Sequence, residues 1–303
     1  MRATRLHREL ERIYERYHRP EFLGVEACHS GGAVEEGRGD PLAFAHLFDD
    51  SADREACALL ASALAFGRVE SIFATMRECL RRIDDAGETP GSLLARFDPV
   101  RHRGVFEGVV HRWVRGPDLE LFCWRMTRVI ARHGGLEAAF LAHAKSSEET
   151  AFSGLSGLAR ELRKLAPSPY RPSRGADYLF VAPEGGSACK RGNLFLRWVV
   201  RPDDGLDLGL WKGVDPARLI LPLDTHVARI SRHLGLTGRR SVDWRAAVEV
   251  TDSLRLFDRS DPARFDFAIC RLGILGRCPP RPDHSCCERC GLREHCVGIE
   301  RRR

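Results

Sequence analysis

The sequence predicts an all-α protein that ends in a cysteine-rich loop. Apolar residues recur at helical spacing along most of the 303 residues, and no segment alternates convincingly between apolar and polar residues. Prolines and glycines separate the helical stretches. The chain has ample length for a core, and no apolar run reaches the roughly 18 residues that a membrane span requires.

The predicted helices follow one another with short breaks. A first helix covers residues 1–20 and ends at Pro20, and residues 29–40 form a glycine-rich loop. Residues 53–66 are apolar nearly all round, which is typical of a helix at the centre of a core. Further helices are predicted from residue 41 and over residues 69–83, 104–115, 117–132, 136–145, 149–165, 189–201, 215–220, 224–234, 242–257 and 261–273.

Three regions are expected: an N-terminal helix and loop (1–40), a helical domain (41–276) and a cysteine loop with a basic tail (277–303). The first residues form an amphipathic helix without the apolar centre of a signal peptide, so we expect a cytoplasmic protein with free thiols. The net charge of +6, from 48 basic and 42 acidic residues, permits a nucleic-acid partner without requiring one.

Five of the 11 cysteines lie within nineteen residues at the C-terminal end, where several prolines interrupt any helix. A metal site explains this density better than disulfides or buried thiols do. Four thiolates satisfy either a tetrahedral zinc ion or a cubane iron–sulfur cluster, and the spacing alone does not choose. The ligand set with gaps of eight, two and five residues is Cys278, Cys287, Cys290 and Cys296.

Asp224, Thr225 and His226 begin a predicted helix about fifty residues before this loop. This combination resembles the helix-hairpin-helix DNA glycosylases of the endonuclease III type. The resemblance implies a two-lobed all-α fold and a [4Fe–4S] cluster, with zinc as the alternative. The family's gaps are six, two and five, so the longer first gap leaves Cys286 open as a replacement for Cys287.

The resemblance also implies catalytic roles for two residues. Asp224 would stabilise the positive charge that develops on the sugar when an N-glycosidic bond breaks. Lys190, in the segment CKRGNLFL, falls on the lysine that attacks the sugar in family members that are also lyases. The two residues are thirty-four positions apart. The alternatives are an aspartate that only caps its helix and an ordinary surface lysine.

Residues that would contact DNA are implied in the same way. Gly185 and Gly186 precede a helix that starts with basic residues, an arrangement that can bind a phosphate through backbone amides, with Arg191 beside it. Arg68 follows the apolar helix, at the place from which the family fills the gap left by an extruded base. A solvated arginine at a helix start is the alternative for Arg68.

Two other groups have ordinary explanations. Phe195, Trp198 and Trp211 can line a base pocket, although aromatic residues at helical spacing are more often core residues. The acidic run of Asp203, Asp204 and Asp207 is expected to be a solvated turn.

The sequence therefore predicts a DNA glycosylase that excises a damaged or modified base from double-stranded DNA, as a monomer, with AP-lyase activity left open. A non-catalytic nucleic-acid-binding protein on the same scaffold, with DNA or RNA as its partner, is one alternative. A hydrolase of a modified nucleoside or tRNA base is the other.

Overall fold

A computed structural model describes residues 2–30, 39–165, 170–171, 173–281 and 283–297, which are mostly helical. Within them, no helix is both long and apolar enough to cross a membrane. The α-helices of the described chain are α1 (Arg2–Tyr17), α2 (Val25–Ser30), α3 (Ser51–Ala63), α4 (Val69–Asp85), α5 (Pro90–Arg96), α6 (Gly116–His133), α7 (Leu136–His143), α8 (Phe152–Lys164), α9 (Arg174–Leu179), α10 (Lys190–Val200), α11 (Thr225–His233), α12 (Trp244–Arg255), α13 (Asp266–Ile274) and α14 (His284–Cys287).

Helix α3 lies at the centre of the core, as its apolar sequence predicts. Every residue of its second half, 56–63, is buried, and the helix packs against α5, α10 and the 3-10 segment Pro41–Leu47. Gly91 in α5 permits the close approach, because a Cβ there would lie 2.8 Å from the backbone carbon of Ala52. The start of α3 is thereby held against α5, and its end lies beside the start of α10, where Arg191 donates to the carbonyl oxygen of Ala63.

The predicted helix over residues 104–115 is wrong. Gly104 and Gly108 have φ angles of 79° and 78°, a left-handed conformation that ends regular helix. A two-stranded antiparallel hairpin follows, with strands β1 (Val110–His111) and β2 (Val114–Arg115). Valines favour strands over helices, and Arg112 turns the chain with a φ of 56°.

Several other helices also differ from the prediction. Helices α5 and α9 were not predicted, and residues 215–220 form only the short 3-10 segment Pro216–Arg218. The predicted loop over residues 29–40 lies mainly outside the described residues, and its first two residues belong to α2. Helices α9 and α10 are joined by a connection that contains the 3-10 segment Pro183–Gly185, and this connection is called the hairpin below.

The expectation of a solvated acidic turn agrees with the exposure of Asp203 and Asp204 but is wrong for Asp207. Asp207 is fully buried, where it accepts hydrogen bonds from Arg197 Nε and Nη2 at 3.2 and 3.1 Å and also pairs with Arg201. Phe195, Trp198 and Trp211 are buried core residues. Their burial agrees with the ordinary explanation for aromatic residues at helical spacing.

The N-terminal helix α1 packs against elements that come late in the chain. Leu10 and Tyr17 of α1 are buried, and the helix packs against α13. Glu11 of α1 forms an ion pair with Arg264, just before α13. Gly291 in the cysteine loop approaches Glu9 so closely that a Cβ on the glycine would lie 2.5 Å from the carboxylate.

Candidate functional site

A cavity of about 330 Å³ opens where the end of α3 meets the starts of α10, α11 and α13. Its lining includes the two residues that the sequence assigned to catalysis, Lys190 and Asp224. It also includes Asp266 and Cys270 of α13, which the sequence analysis did not select. Residues distant in sequence, including the pair separated by thirty-four positions, thus share one pocket.

Asp224 occupies the N-cap of α11, and its two carboxylate oxygens have different neighbours. Its Oδ1 accepts a hydrogen bond from the backbone N–H of Val227 at 2.8 Å. Its Oδ2 lies 3.9 Å from the Cys270 thiol, beside the cavity. The cap fixes the side chain, and the positive end of the helix dipole favours its negative charge.

Lys190 is the first residue of α10, and its side chain reaches back toward the end of α3. The ammonium group donates a hydrogen bond to the carbonyl oxygen of Ala65 at 3.1 Å. Cys189 precedes it in a left-handed conformation, with φ 47° and ψ 38°. Such a conformation is costly for a residue other than glycine, so local packing must hold this turn in place.

Asp266 is a second carboxylate at this cavity. It is only 4% exposed, and its Oδ2 accepts a hydrogen bond from Arg197 Nη1 at 2.6 Å. Burial raises the pKa of Asp266 to about 6; Arg197 and Lys190 oppose the rise, and the Asp224 carboxylate adds to it. One signal in the sequence could have indicated a buried carboxylate such as Asp266. Arg197 is a charged residue inside an apolar helix, and such a residue requires a buried partner.

Cys270 is a neutral neighbour of Asp224. Burial raises the pKa of its thiol well above the ordinary value, and the carboxylates of Asp224 and Asp266 add to the effect. The thiol therefore stays protonated near neutral pH and can donate to Asp224. It does not compete with Lys190 as a thiolate nucleophile.

Arg68 and the two hairpin glycines lie open to solvent. The Arg68 side chain is 88% exposed at the N-cap of α4, between Gly67 and Val69, which line the cavity. A Cβ placed on Gly185 or Gly186 would meet no atom within 4 Å. Another molecule can therefore approach both the edge of the cavity at Arg68 and the backbone of the hairpin at Gly185 and Gly186.

Arg191 has different partners from those that the sequence suggested. Its guanidinium donates to the carbonyl oxygens of Ala63, at 3.2 Å, and of Tyr178, and its centre lies 3.8 Å from the Tyr178 ring centroid. Burial lowers the pKa of Arg191 to about 10. These contacts hold the guanidinium inside the hairpin, so a phosphate contact by Arg191 would require breaking them.

The four cysteines of the predicted ligand set, Cys278, Cys287, Cys290 and Cys296, line a single small cavity under α11. Cys286 lines a different cavity, on the side facing α1. All five thiols are free rather than paired in disulfides. Of the two cysteines left open by the spacing, Cys287 is the one that the fold places with the other three.

The environment of this cavity suits a cationic group bound to thiolates. Burial raises the pKa of Cys278 to about 11; Arg229 opposes the rise, and the converging thiols of the other three cysteines add to it. Bound iron or zinc would replace the thiol protons and remove this mutual repulsion. Arg229 also donates to the carbonyl oxygen of Cys278 at 2.8 Å, which ties α11 to the loop.

The fold and the two cavities define a helical protein with a lysine and two carboxylates in one pocket and four convergent cysteines in another. The chain belongs to the family described as "Protein of unknown function (DUF2400)", whose model matches residues 40–275. This match includes Lys190, Asp224 and Asp266 and ends before the cysteine loop. The chain matches no curated protein and no solved structure.

Proposed function

We propose that this protein is a DNA glycosylase that excises a damaged or modified base from double-stranded DNA. The observation that carries the proposal is the shared cavity of Lys190 and Asp224, with Asp224 held by its own helix at 2.8 Å. A cavity of about 330 Å³ is within the usual range for small-ligand sites and suits an extruded nucleoside.

The two carboxylates match the charge of the transition state. Cleavage of an N-glycosidic bond places positive charge on the sugar, and Asp224 is anchored where it can stabilise that charge. Burial is the main cause of the raised pKa of Asp266, and repulsion from the Asp224 carboxylate adds to it. A cation forming between them relieves this repulsion, so the site binds the transition state more strongly than the neutral substrate.

Lys190 adds a lyase step to the proposal. After the ammonium group gives a proton to solvent, the amine attacks the anomeric carbon and the bond to the base breaks. The departing base takes up a proton, and opening of the sugar ring gives the Schiff base. The hydrogen bond to Ala65 holds the amine at the cavity wall before substrate arrives. If Lys190 does not attack, water is the nucleophile and the enzyme is monofunctional.

A [4Fe–4S] cluster held by Cys278, Cys287, Cys290 and Cys296 is the proposed cofactor, with zinc as the alternative. The convergence of the four thiols on one cavity supports this ligand set. The cluster would be structural, since α11 has Asp224 at its N-cap and contacts the cysteine loop through Arg229 at its centre. Loading the loop would fix the position of α11 and hence of Asp224.

Duplexes that each carry one lesion, together with modified tRNA, form the test panel, and mass spectrometry detects the released base. Release from at least one duplex is expected. Release from tRNA alone would identify the hydrolase alternative, and binding without release of any base would identify a non-catalytic protein.

Variants then assign the roles. Asp224→Asn should lower base release by at least about 10²-fold and keep the fold, because asparagine also caps helices well. Asp50→Asn is the matched control: Asp50 caps α3 in the same way, outside the cavity. Lys190→Gln should abolish the borohydride-trapped adduct, whereas Lys145→Gln, at a 70% exposed lysine, should leave it intact.

A further inference from the structure

A cluster of two histidines and one glutamate lies away from both cavities, where three helices meet. His133 is the last residue of α6, His143 is the last residue of α7, and Glu161 lies in α8. Their side chains are 18%, 31% and 9% exposed, respectively. One ligand atom from each residue lies within 4.8 Å of the other two.

We propose that His133, His143 and Glu161 form a binding site for a zinc-like divalent metal ion that braces α6, α7 and α8. Both imidazoles direct Nε2 at the same carboxylate oxygen, Glu161 Oε2, at 3.0 and 2.9 Å. Tetrahedral zinc with bonds of about 2.0–2.1 Å separates its ligand atoms by about 3.3 Å. Each nitrogen therefore needs to move away from the shared oxygen by only about 0.3–0.4 Å to admit the ion.

The surroundings hold these ligands in place. Arg132 Nη1 donates to Glu161 Oε1 at 2.6 Å, and His133 Nε2 also lies 3.2 Å from that oxygen, so Oε2 is the oxygen that both imidazoles share. Such an outer contact orients a ligating carboxylate. Gly157 lets the His143 ring lie against α8, because a Cβ at Gly157 would come within 2.3 Å of the histidine side chain.

The ligand types select the class of ion. Hard cations such as Mg²⁺ and Ca²⁺ prefer several oxygen ligands, whereas this cluster offers two imidazoles and a single carboxylate. Imidazole nitrogen favours zinc and its transition-metal neighbours. Three protein ligands leave one position of a tetrahedral ion for water, on the open side of the depression.

The site would also stiffen the hairpin. Helix α8 packs against the 3-10 segment Pro183–Gly185, and Arg160 of α8 forms an ion pair with Glu184 of that segment. Zinc at the cluster would fix α8 relative to α6 and α7. Its effect on the protein is therefore expected in stability and not in any reaction.

The experiment is a zinc titration of the full-length protein at pH 7.5 after mild chelation, read by bound zinc per chain and by Tm. Glu161→Gln and His143→Gln should each bind one zinc ion fewer than the unaltered protein. The rise in Tm, roughly 5 °C at a hundredfold excess of zinc over Kd, should disappear in both. His29→Gln, at an exposed histidine outside the cluster, should keep the site.

Zinc can also bind free cysteine thiolates, so the comparison is made between variants with the same cysteine loop. Cobalt substitution provides a second measurement, because cobalt bound to thiolates shows intense near-ultraviolet charge-transfer bands and cobalt bound to imidazole and carboxylate does not. Loss of only the weak visible bands in Glu161→Gln supports the assignment. Equal zinc content in Glu161→Gln, His143→Gln and the unaltered protein would overturn it and leave only an ion-pair cluster.

Discussion

Arg197 donates a hydrogen bond to Asp266 over 2.6 Å inside the core, and this bond positions a carboxylate whose pKa burial raises to about 6. The native protein binds this proton up to about pH 6, whereas the unfolded chain releases it near pH 4. The raised pKa thus lowers stability as pH rises through that window, and the ionised form predominates in the folded protein above about pH 6.

A pH dependence of base release follows from Asp266. If both carboxylates stabilise the sugar cation, kcat/KM should rise as pH increases through about 6 and then level off. Asp266→Asn should remove this rise and lower the plateau by roughly 30-fold, the equivalent of about 2 kcal/mol between charges at an effective dielectric constant of 20. An unchanged pH profile in Asp266→Asn would exclude the role proposed for Asp266.

The stability of the core should depend strongly on Arg197. Arg197→Met leaves Asp207 and Asp266 buried without their common partner and should lower the free energy of unfolding by about 3–5 kcal/mol. Asp203→Asn, at a side chain that is 57% exposed, should change it by less than about 0.5 kcal/mol. Urea denaturation followed by circular dichroism measures both. Similar midpoints for the two variants would contradict this account of the buried ion pairs.

The cluster proposed for the cysteine loop predicts the colour and the iron content of the purified protein. The protein purified without oxygen should be brown and contain four iron atoms per chain, and replacing Cys278, Cys287, Cys290 or Cys296 by serine should remove most of the visible absorption. Cys286→Ser is the matched control and should retain both colour and iron, because Cys286 lines a different cavity. A colourless protein with one zinc ion in this loop would favour the alternative metal.

DNA binding should depend on the backbone at Gly186. Gly186 has a φ of 81° and no neighbour within 4 Å of its Cβ position, so Gly186→Ala strains the hairpin at the face open to a phosphate. Gly87→Ala is the matched control, since Gly87 has a φ of 71° and the same open surroundings after α4. Both variants should lose similar stability, and only Gly186→Ala should lose DNA affinity.

Salt titration completes that test. Affinity of the unaltered protein for duplex DNA should fall steeply with salt, because binding releases counterions from the phosphates. Fluorescence anisotropy at several salt concentrations measures the slope. Constant affinity between low and moderate salt, or an equal loss of affinity in the two glycine variants, would argue against the hairpin as the DNA contact.

Local sequence signals predicted several helices and the start of α11. Asp224 lies at its N-cap because its short carboxylate accepts from the helix, and α3 is buried because apolar residues surround it. The prediction of a helix over residues 104–115 was wrong because the left-handed turns at Gly104 and Gly108 outweigh the apolar pattern. The burial of Asp207 depends on partners in other elements, which local composition does not reveal.

The candidate site was predictable only in part for the same reason. Lys190 and Asp224 were selected by a family resemblance, and the fold places them at one cavity. Asp266 was not selected because its partner, Arg197, lies 69 positions earlier in the chain. Arg191 shows the opposite case, since a basic residue at a helix start faces inward when backbone carbonyls and an aromatic ring surround it.

The packing of α1 has a consequence for the order of events during synthesis. Glu11 meets Arg264 across 253 positions of sequence, so α1 leaves the ribosome long before its docking surface on α13 exists. At about 5–20 residues per second, that delay is on the order of tens of seconds. Until then, the buried face of α1 is exposed to chaperones and to other nascent chains, and this part of the core closes only after α13 has been synthesised.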